Sequence, residues 1–136
     1  MIYHGNRMRV KEGADAAQVE SALEVLREQG TAIPSVKWFT VGREHGSEFD
    51  WSAIFAFEDL DGYSEYLGHP AHHRTQRAGL PLMEKFETFD ISDDPDPGLG
   101  AKIAELQMRH YAADPGLVEL VAALPSHVGS SAVEHG

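Results

Sequence analysis

Three histidines stand close together in the stretch GHPAHHRTQ, residues 68–76. They are His69, His72 and His73, and Tyr66 precedes them. Imidazole exchanges a proton near neutral pH because its unperturbed pKa is about 6.5, and it is also a common metal ligand. The stretch is therefore compatible with a metal site, with acid–base catalysis or with the polar start of a helix.

His69 and His73 have the i, i+4 spacing that can present two imidazoles to one metal ion. Pro70 lies between them near a helix start, and no nearby carboxylate has an evident ligand spacing. We therefore expect no metal here. His69 is expected to hold the turn through a backbone hydrogen bond, and His73 is expected to lie on the surface.

Acid–base chemistry would use His72 together with Tyr66. A histidine can remove a proton next to a carbonyl group, while a tyrosine hydroxyl donates a hydrogen bond to the carbonyl oxygen. A continuous helix, at about 100° per residue, would place the two on different sides. The hypothesis therefore requires a break at residues 68–70. In the alternative, Tyr66 packs in the core and His72 hydrogen-bonds locally.

The surrounding elements follow from hydrophobic periodicity, with Asp15 and Asp59 suited to cap helices. The order β-α-β-β-α-β predicts an α+β, ferredoxin-like fold with its helices on one face of an antiparallel sheet. The predicted elements are a strand at 2–10, a helix from Asp15 to Gly30, strands at 34–42 and 50–58, a short helix after Asp59, a helix from Pro70 to about Lys85 kinked at Pro81, and a strand at 86–92.

The helix-facing side of this sheet is expected to line a small-molecule pocket. A mostly apolar cavity with a few convergent polar groups is typical of such a site, although an ordinary core also needs apolar residues. The Asn6 side chain would donate a hydrogen bond to a substrate oxygen. In the alternative, it would hydrogen-bond His4 or the neighbouring backbone. The predicted lining is His4, Asn6, Met8, Leu23, Leu26, Trp51, Ala53, Phe55, Phe57 and Met83.

The opposite face of the sheet would be left bare, and large apolar patches usually mark an interface. This predicts a homodimer joined through that face. Arg7 and Arg9 fall on it and would need carboxylates, for which Glu87 and Asp90 are candidates.

Two prolines and two glycines in DDPDPGLG, residues 93–100, end the domain. We predict a domain at 1–93 and a C-terminal helical extension at 94–136, with a loose end from residue 125. The apolar stripe of the extension could dock on its own chain or on a partner. It comprises Leu99, Ile103, Leu106, Leu117, Leu120 and Val121.

The composition limits the partners. The chain has 136 residues, 11 Lys and Arg against 22 Asp and Glu, and no cysteine. A net charge of −11 without a basic cluster argues against nucleic acid. No signal-peptide core or membrane-spanning run is visible, and we expect a cytoplasmic protein.

Four stretches resemble the stress-responsive dimeric α/β-barrel (Dabb) family: YHGNRMRVKEG, IPSVKWFTVGRE, AIFAFEDLDGYSEYLGHPAHH and LPLMEKFETFDIS. The resemblance covers residues 2–92 and implies a homodimer whose two sheets close into a barrel. The family includes a plant polyketide cyclase that needs no metal or organic cofactor. Its acid–base pair matches Tyr66 and His72, and a pocket histidine matches His4. Asn6, Trp51 and Met83 depart from that cyclase.

We therefore predict a cofactor-free acid–base enzyme acting on a polyketide-like or aromatic small molecule. The favoured activity is that of a cyclase of the aldol or Claisen type, and the next candidates are an isomerase and a dehydratase. The alternatives are a non-catalytic stress-responsive or ligand-binding protein, since the family contains plant stress proteins with no demonstrated reaction, and a cofactor-free monooxygenase.

Overall fold

A computed structural model describes residues 1–132 of the chain. Strands and helices alternate through the first 92 residues, and two helices and a short strand follow. The elements are β1 (Ile2–Val10), α1 (Ala16–Ala32), β2 (Trp38–Arg43), β3 (Trp51–Phe57), α2 (Leu60–Gly68), α3 (Pro70–Gly79), a 3-10 turn (Leu80–Leu82), β4 (Met83–Ser92), α4 (Leu99–Ala112), α5 (Pro115–Ala122) and β5 (Ser126–Gly129).

The five strands form one sheet in the order β2-β3-β1-β4-β5. The first four strands are antiparallel neighbours, whereas β5 runs parallel to β4. This is the predicted ferredoxin-like α+β arrangement, extended by one strand at an edge. In β1, His4, Asn6 and Met8 are buried, while Tyr3 and Arg9, which flank them and point to the other face, are exposed. The helices therefore cover the face on which His4 lies.

A helix break between α2 and α3 sets the direction of the catalytic candidates. His69 has extended backbone (φ −75°, ψ 141°), ends α2 and begins α3. Its Nδ1 accepts a hydrogen bond from the backbone N–H of Ala71 at 3.0 Å, as the sequence predicts. Pro70 occupies the first turn of α3, where a missing N–H costs no hydrogen bond. Tyr66 and His72 consequently both point inward and are buried.

Two predicted boundaries are wrong. The helix from Pro70 ends at Gly79 rather than near Lys85, because Pro81 cannot continue the helical hydrogen bonds, and β4 then starts at Met83. α1 continues to Ala32 instead of stopping at Gly30. Gly30 serves a close contact, since a Cβ there would lie about 2.5 Å from the ring of Phe39.

The C-terminal extension docks on its own chain. Ile103 enters the main core, while Leu117 and Val121 form a second apolar cluster with Leu80 and Tyr111. The predicted loose end is wrong for residues 126–129, which pair with β4. Residues 133–136, the last part of that prediction, lie outside the described residues.

The sheet face opposite the helices carries large apolar side chains. Trp38, Tyr3 and Ile91 lie in one cross-strand row and are 52%, 38% and 59% exposed. Arg7 pairs with Glu44 at 2.6 Å and with Glu87 at 3.5 Å on the same face. The suggested pairing with Asp90 is wrong, because Asp90 lies on the helix-facing side.

Candidate active site

A cavity of about 90 Å³ lies between the sheet and the helices, and most of the predicted pocket residues line it. Ala53, Phe55 and Phe57 do not; they are fully buried in the hydrophobic core. Predicted site residues that do line the cavity are His4, Asn6, Met8, Leu23, Leu26, Trp51, Tyr66, His72 and Met83.

Tyr66 and His72 meet at this cavity through Gln29 of α1, a residue that the sequence analysis did not identify. Gln29 Nε2 donates to the Tyr66 hydroxyl oxygen at 3.3 Å. Gln29 Oε1 lies 3.3 Å from His72 Nδ1. The ring centroids of Tyr66 and His72 are 4.3 Å apart. The helix break at His69 thus provides the geometry that the acid–base hypothesis requires.

The Gln29 amide fixes where the hydrogens lie. In this orientation its oxygen can only accept, so His72 Nδ1 carries the hydrogen and Nε2 keeps a lone pair. Its nitrogen can only donate, so the Tyr66 oxygen accepts and the hydroxyl hydrogen remains available. His72 is then arranged as a base, and Tyr66 as a hydrogen-bond donor.

Burial keeps both groups uncharged. It lowers the pKa of His72 well below the ordinary value, and His110 adds electrostatic repulsion against a positive charge. Burial also raises the pKa of Tyr66, although hydrogen bonding from Gln29 and Asn6 partly opposes that effect. Near neutral pH the site therefore presents a neutral imidazole and a protonated phenol.

His4 belongs to a second polar group on the same cavity. Its Nδ1 lies 3.0 Å from Asp90 Oδ1 and 2.8 Å from the Tyr63 hydroxyl. Burial opposes ionisation of Asp90, but the hydrogen bond from His4 and the charge attraction outweigh it and lower the Asp90 pKa. Because ionised Asp90 accepts, Nδ1 carries the hydrogen. Among the described residues, Nε2 has no hydrogen-bond partner.

The extension completes the walls of the cavity. Gln107 of α4 donates to the Tyr63 hydroxyl at 3.2 Å and so supports the group around His4. Tyr111, Val121 and Ser131 also line the cavity. Neither Gln107 nor Gln29 has a local sequence signal beyond being a polar residue on the buried face of a helix.

The other two histidines of residues 68–76, His69 and His73, do not line the cavity. His69 caps α3, as described above. His73 is partly exposed and lies 3.5 Å from Asp114, which also binds Arg77. Among residues 1–132, no three His, Cys, Asp or Glu side chains are grouped to hold a metal ion. Within the same range, no helix combines the length and apolar character needed to cross a bilayer.

Several solved structures share this fold. A dimeric ferredoxin-like protein of unknown function from Thermobifida fusca is 22% identical with a TM-score of 0.61, over 67% of this chain and 89% of that one. A hydroxynitrile lyase from Passiflora edulis is 15% identical with a TM-score of 0.61, over 71% and 96%. A cofactor-independent oxygenase from Streptomyces nogalater is 20% identical with a TM-score of 0.56, over 71% and 95%.

At these identities the likeness concerns the fold alone, and the family is established by sequence. The model of a family described as the stress responsive A/B barrel domain matches residues 2–93, more than half of the 136-residue chain. The order of the strands and helices within that range is the one that the family resemblance predicted. The chain belongs to the stress-responsive A/B barrel (Dabb) domain family.

Proposed function

We propose that the protein is a cofactor-free acid–base enzyme acting on a small carbonyl compound of the polyketide-like or aromatic β-keto type. One observation carries the proposal: a neutral imidazole and a phenol hydroxyl, His72 and Tyr66, are oriented by a single buried amide and line one cavity. Solved proteins of similar fold include a lyase and a cofactor-independent oxygenase, which supports an enzymatic role on this scaffold.

The proposed reaction begins with proton removal. His72 Nε2 takes a proton from the carbon next to a carbonyl group, and the electron pair of the broken C–H bond forms an enolate. The Tyr66 hydroxyl donates to the enolate oxygen as charge develops there. In a cyclase, the enolate carbon then attacks a second carbonyl of the same molecule, and protonated His72 returns its proton to the new alkoxide. A positioned acid–base group contributes about 10²–10⁴-fold.

The rest of the cavity fits an amphipathic substrate. Along β1, the polar side chains of His4 and Asn6 come before Met8, and Trp51 and Met83 pair with the strand at Met8 and Val10. A substrate would place its oxygens near His4 and its apolar part near Trp51. His4, backed by Asp90, is a second group able to exchange a proton with such oxygens.

The proposal is tested with purified protein and a panel of aromatic and polyketide β-keto acids. We expect ligand binding and turnover in the wild type, and a loss of turnover of about 10²-fold or more in His72→Ala and Tyr66→Phe. His73→Ala is the matched control, since it removes a neighbouring imidazole of α3 that does not line the cavity. Binding without turnover in the wild type would favour a ligand-binding protein instead, and unchanged turnover in both site variants would refute the catalytic role of His72 and Tyr66.

A monooxygenase is the second candidate, favoured by the fold likeness to the oxygenase from Streptomyces nogalater. The same base could generate a conjugated carbanion that supplies electrons to dioxygen. Oxygen uptake with an anthrone-like substrate would identify this activity. Undiminished turnover under argon would exclude it and leave cyclisation, isomerisation or dehydration.

The functional unit is proposed to be a homodimer. The row of Trp38, Tyr3 and Ile91 leaves a large apolar surface on the open sheet face, and a similar structure from Thermobifida fusca is described as dimeric. Trp38→Lys should give a monomer by size-exclusion chromatography with light scattering. Ser64→Lys, on the exposed side of α2, should remain dimeric. A dimeric Trp38→Lys variant would place the interface elsewhere.

A further inference from the structure

Asn6 carries a buried hydrogen-bond donor that makes no hydrogen bond of normal geometry within residues 1–132. The residue is 8% exposed, and its Nδ2 atom has no hydrogen-bond partner of normal geometry among the described residues. Buried polar atoms are almost always paired in folded proteins, so an exception in a cavity points to a ligand. Gln76 also lines the cavity with an unpaired atom, but that atom is an acceptor oxygen.

The free donor lies beside the Tyr66 hydroxyl. The Asn6 amide is close enough to Tyr66 to favour its ionised form, although Nδ2 makes no well-formed hydrogen bond. The Tyr66 oxygen already accepts from Gln29, which leaves its hydrogen free. Two N–H or O–H donors therefore lie on one part of the cavity, and neither donates a hydrogen bond of normal geometry to another described residue.

The position of Asn6 in the sheet fixes the backbone that carries this donor. β1 is the central strand, and Asn6 pairs with Ala53 on one side and with Thr88 on the other. Donors that are held in place before the reaction stabilise developing charge most effectively, because they need not reorient. The side chain is also neutral, so it can bind a carbonyl oxygen without forming an ion pair in the resting site.

We infer that Asn6 is a catalytic residue that, with Tyr66, forms a two-donor oxyanion site. This inference rests on the proposed function and names the substrate class as an enolisable ketone or β-keto compound. The reacting carbonyl oxygen accepts from Asn6 Nδ2 and from the Tyr66 hydroxyl. When His72 Nε2 takes the α-proton, the C–H electron pair moves into the new C=C bond and the negative charge settles on that oxygen.

The test measures how strongly the site favours a negatively charged ligand oxygen, and it does not require turnover. Substituted phenols and naphthols mimic an enolate, and their absorbance reports the bound ligand's own pKa. Wild-type protein should lower that pKa, because both donors favour the phenolate. Asn6→Leu should weaken phenolate binding about tenfold or more while changing the affinity for the neutral phenol much less. Ile2→Val, on the same buried face of β1 but outside the cavity lining, is the matched control.

Stability gives a second readout that separates this role from a structural one. Removing an unpaired buried donor should leave the melting temperature of the ligand-free Asn6→Leu protein unchanged or higher. A structural role predicts a lower one.

The outcomes are distinct. If wild type and Asn6→Leu lower the ligand pKa equally, Asn6 is not an oxyanion donor, and the proposed His72–Tyr66 chemistry stands. If wild type shows no preference for phenolate over phenol, both proposals are overturned.

Discussion

Gln29→Leu removes the amide that orients both candidate catalytic groups while keeping a side chain of similar size. Gln29 is fully buried, so neither of its partners can turn to water instead. His72 Nδ1–H loses its acceptor, and the hydrogen then has no reason to remain on Nδ1. If the hydrogen moved to Nε2, that nitrogen would lose the lone pair with which it takes the proton in the proposed reaction.

The size of the effect follows from two ordinary hydrogen bonds, each 3.3 Å long. One such bond contributes about 1 kcal/mol net, and about 1.4 kcal/mol corresponds to a tenfold change in rate. Loss of the bond to His72 should therefore lower kcat/KM about fivefold. Loss of the bond to Tyr66, which strengthens as charge develops, should lower it further.

Gln29→Glu tests the same position in the opposite direction. A carboxylate beside Nδ1–H would stabilise the imidazolium and raise the pKa of His72, which burial holds low in the wild type. The acidic limb of the kcat/KM profile should then move to higher pH. The wild-type profile should stay flat through that range, because its base is already neutral there.

Long-range ¹H–¹⁵N spectra of the imidazole report which ring nitrogen carries the hydrogen, and they complement the kinetics. Gln18→Leu is the control, since Gln18 lies on the exposed side of the same helix. An unchanged His72 tautomer and rate in Gln29→Leu, together with an unchanged pH profile in Gln29→Glu, would refute the orienting role.

Two further predictions concern stability. Burial lowers the pKa of His72, and it lowers that of His110 to about 4, so the unfolded chain binds more protons below pH 6.5. The free energy of unfolding in urea should therefore fall as the pH drops from about 6.5 towards 4, and His110→Gln should flatten this dependence; parallel curves would contradict the assignment. Leu117→Ala should reduce the free energy of unfolding by about 2–5 kcal/mol, because Leu117 is fully buried in the cluster that attaches α5. Met108→Ala, on the exposed side of α4, should change it by less than about 0.5 kcal/mol, and an equally small effect of Leu117→Ala would mean that the extension is not packed as described.

The sequence was sufficient for the fold because its signals are local. Alternation in β1 and the caps Asp15 and Asp59 predicted element types correctly. The end of α3 was placed too late because the periodicity continues past Pro81, where β4 pairing competes with helix. Strand β5 was missed because its four residues are mostly small or polar, and only the neighbouring β4 edge makes them a strand.

Candidate site residues could be identified from the sequence where they lie close together in one motif. Residues that are distant in sequence could not. Tyr66 and His72 lie in one motif, and the resemblance pointed to them. Gln29 and Gln107 are separated from their partners by 37 to 44 residues, so only the folded chain reveals their contacts. Asp90 was offered as a partner for Arg7 or Arg9 on the open face but pairs with His4, because the sequence alone could not settle which side of β4 faces the helices.

An amide rather than a carboxylate at position 29 leaves the buried His72 side chain both oriented and neutral. A carboxylate would orient His72 equally well but would favour its protonated form before substrate arrives. Gln29 supplies the direction without the charge, and burial of His72 disfavours the protonated form further. The extension closes the cavity, since Tyr111 and Val121 line it. Residues beyond the range that the family model matches therefore form part of the walls of the candidate site.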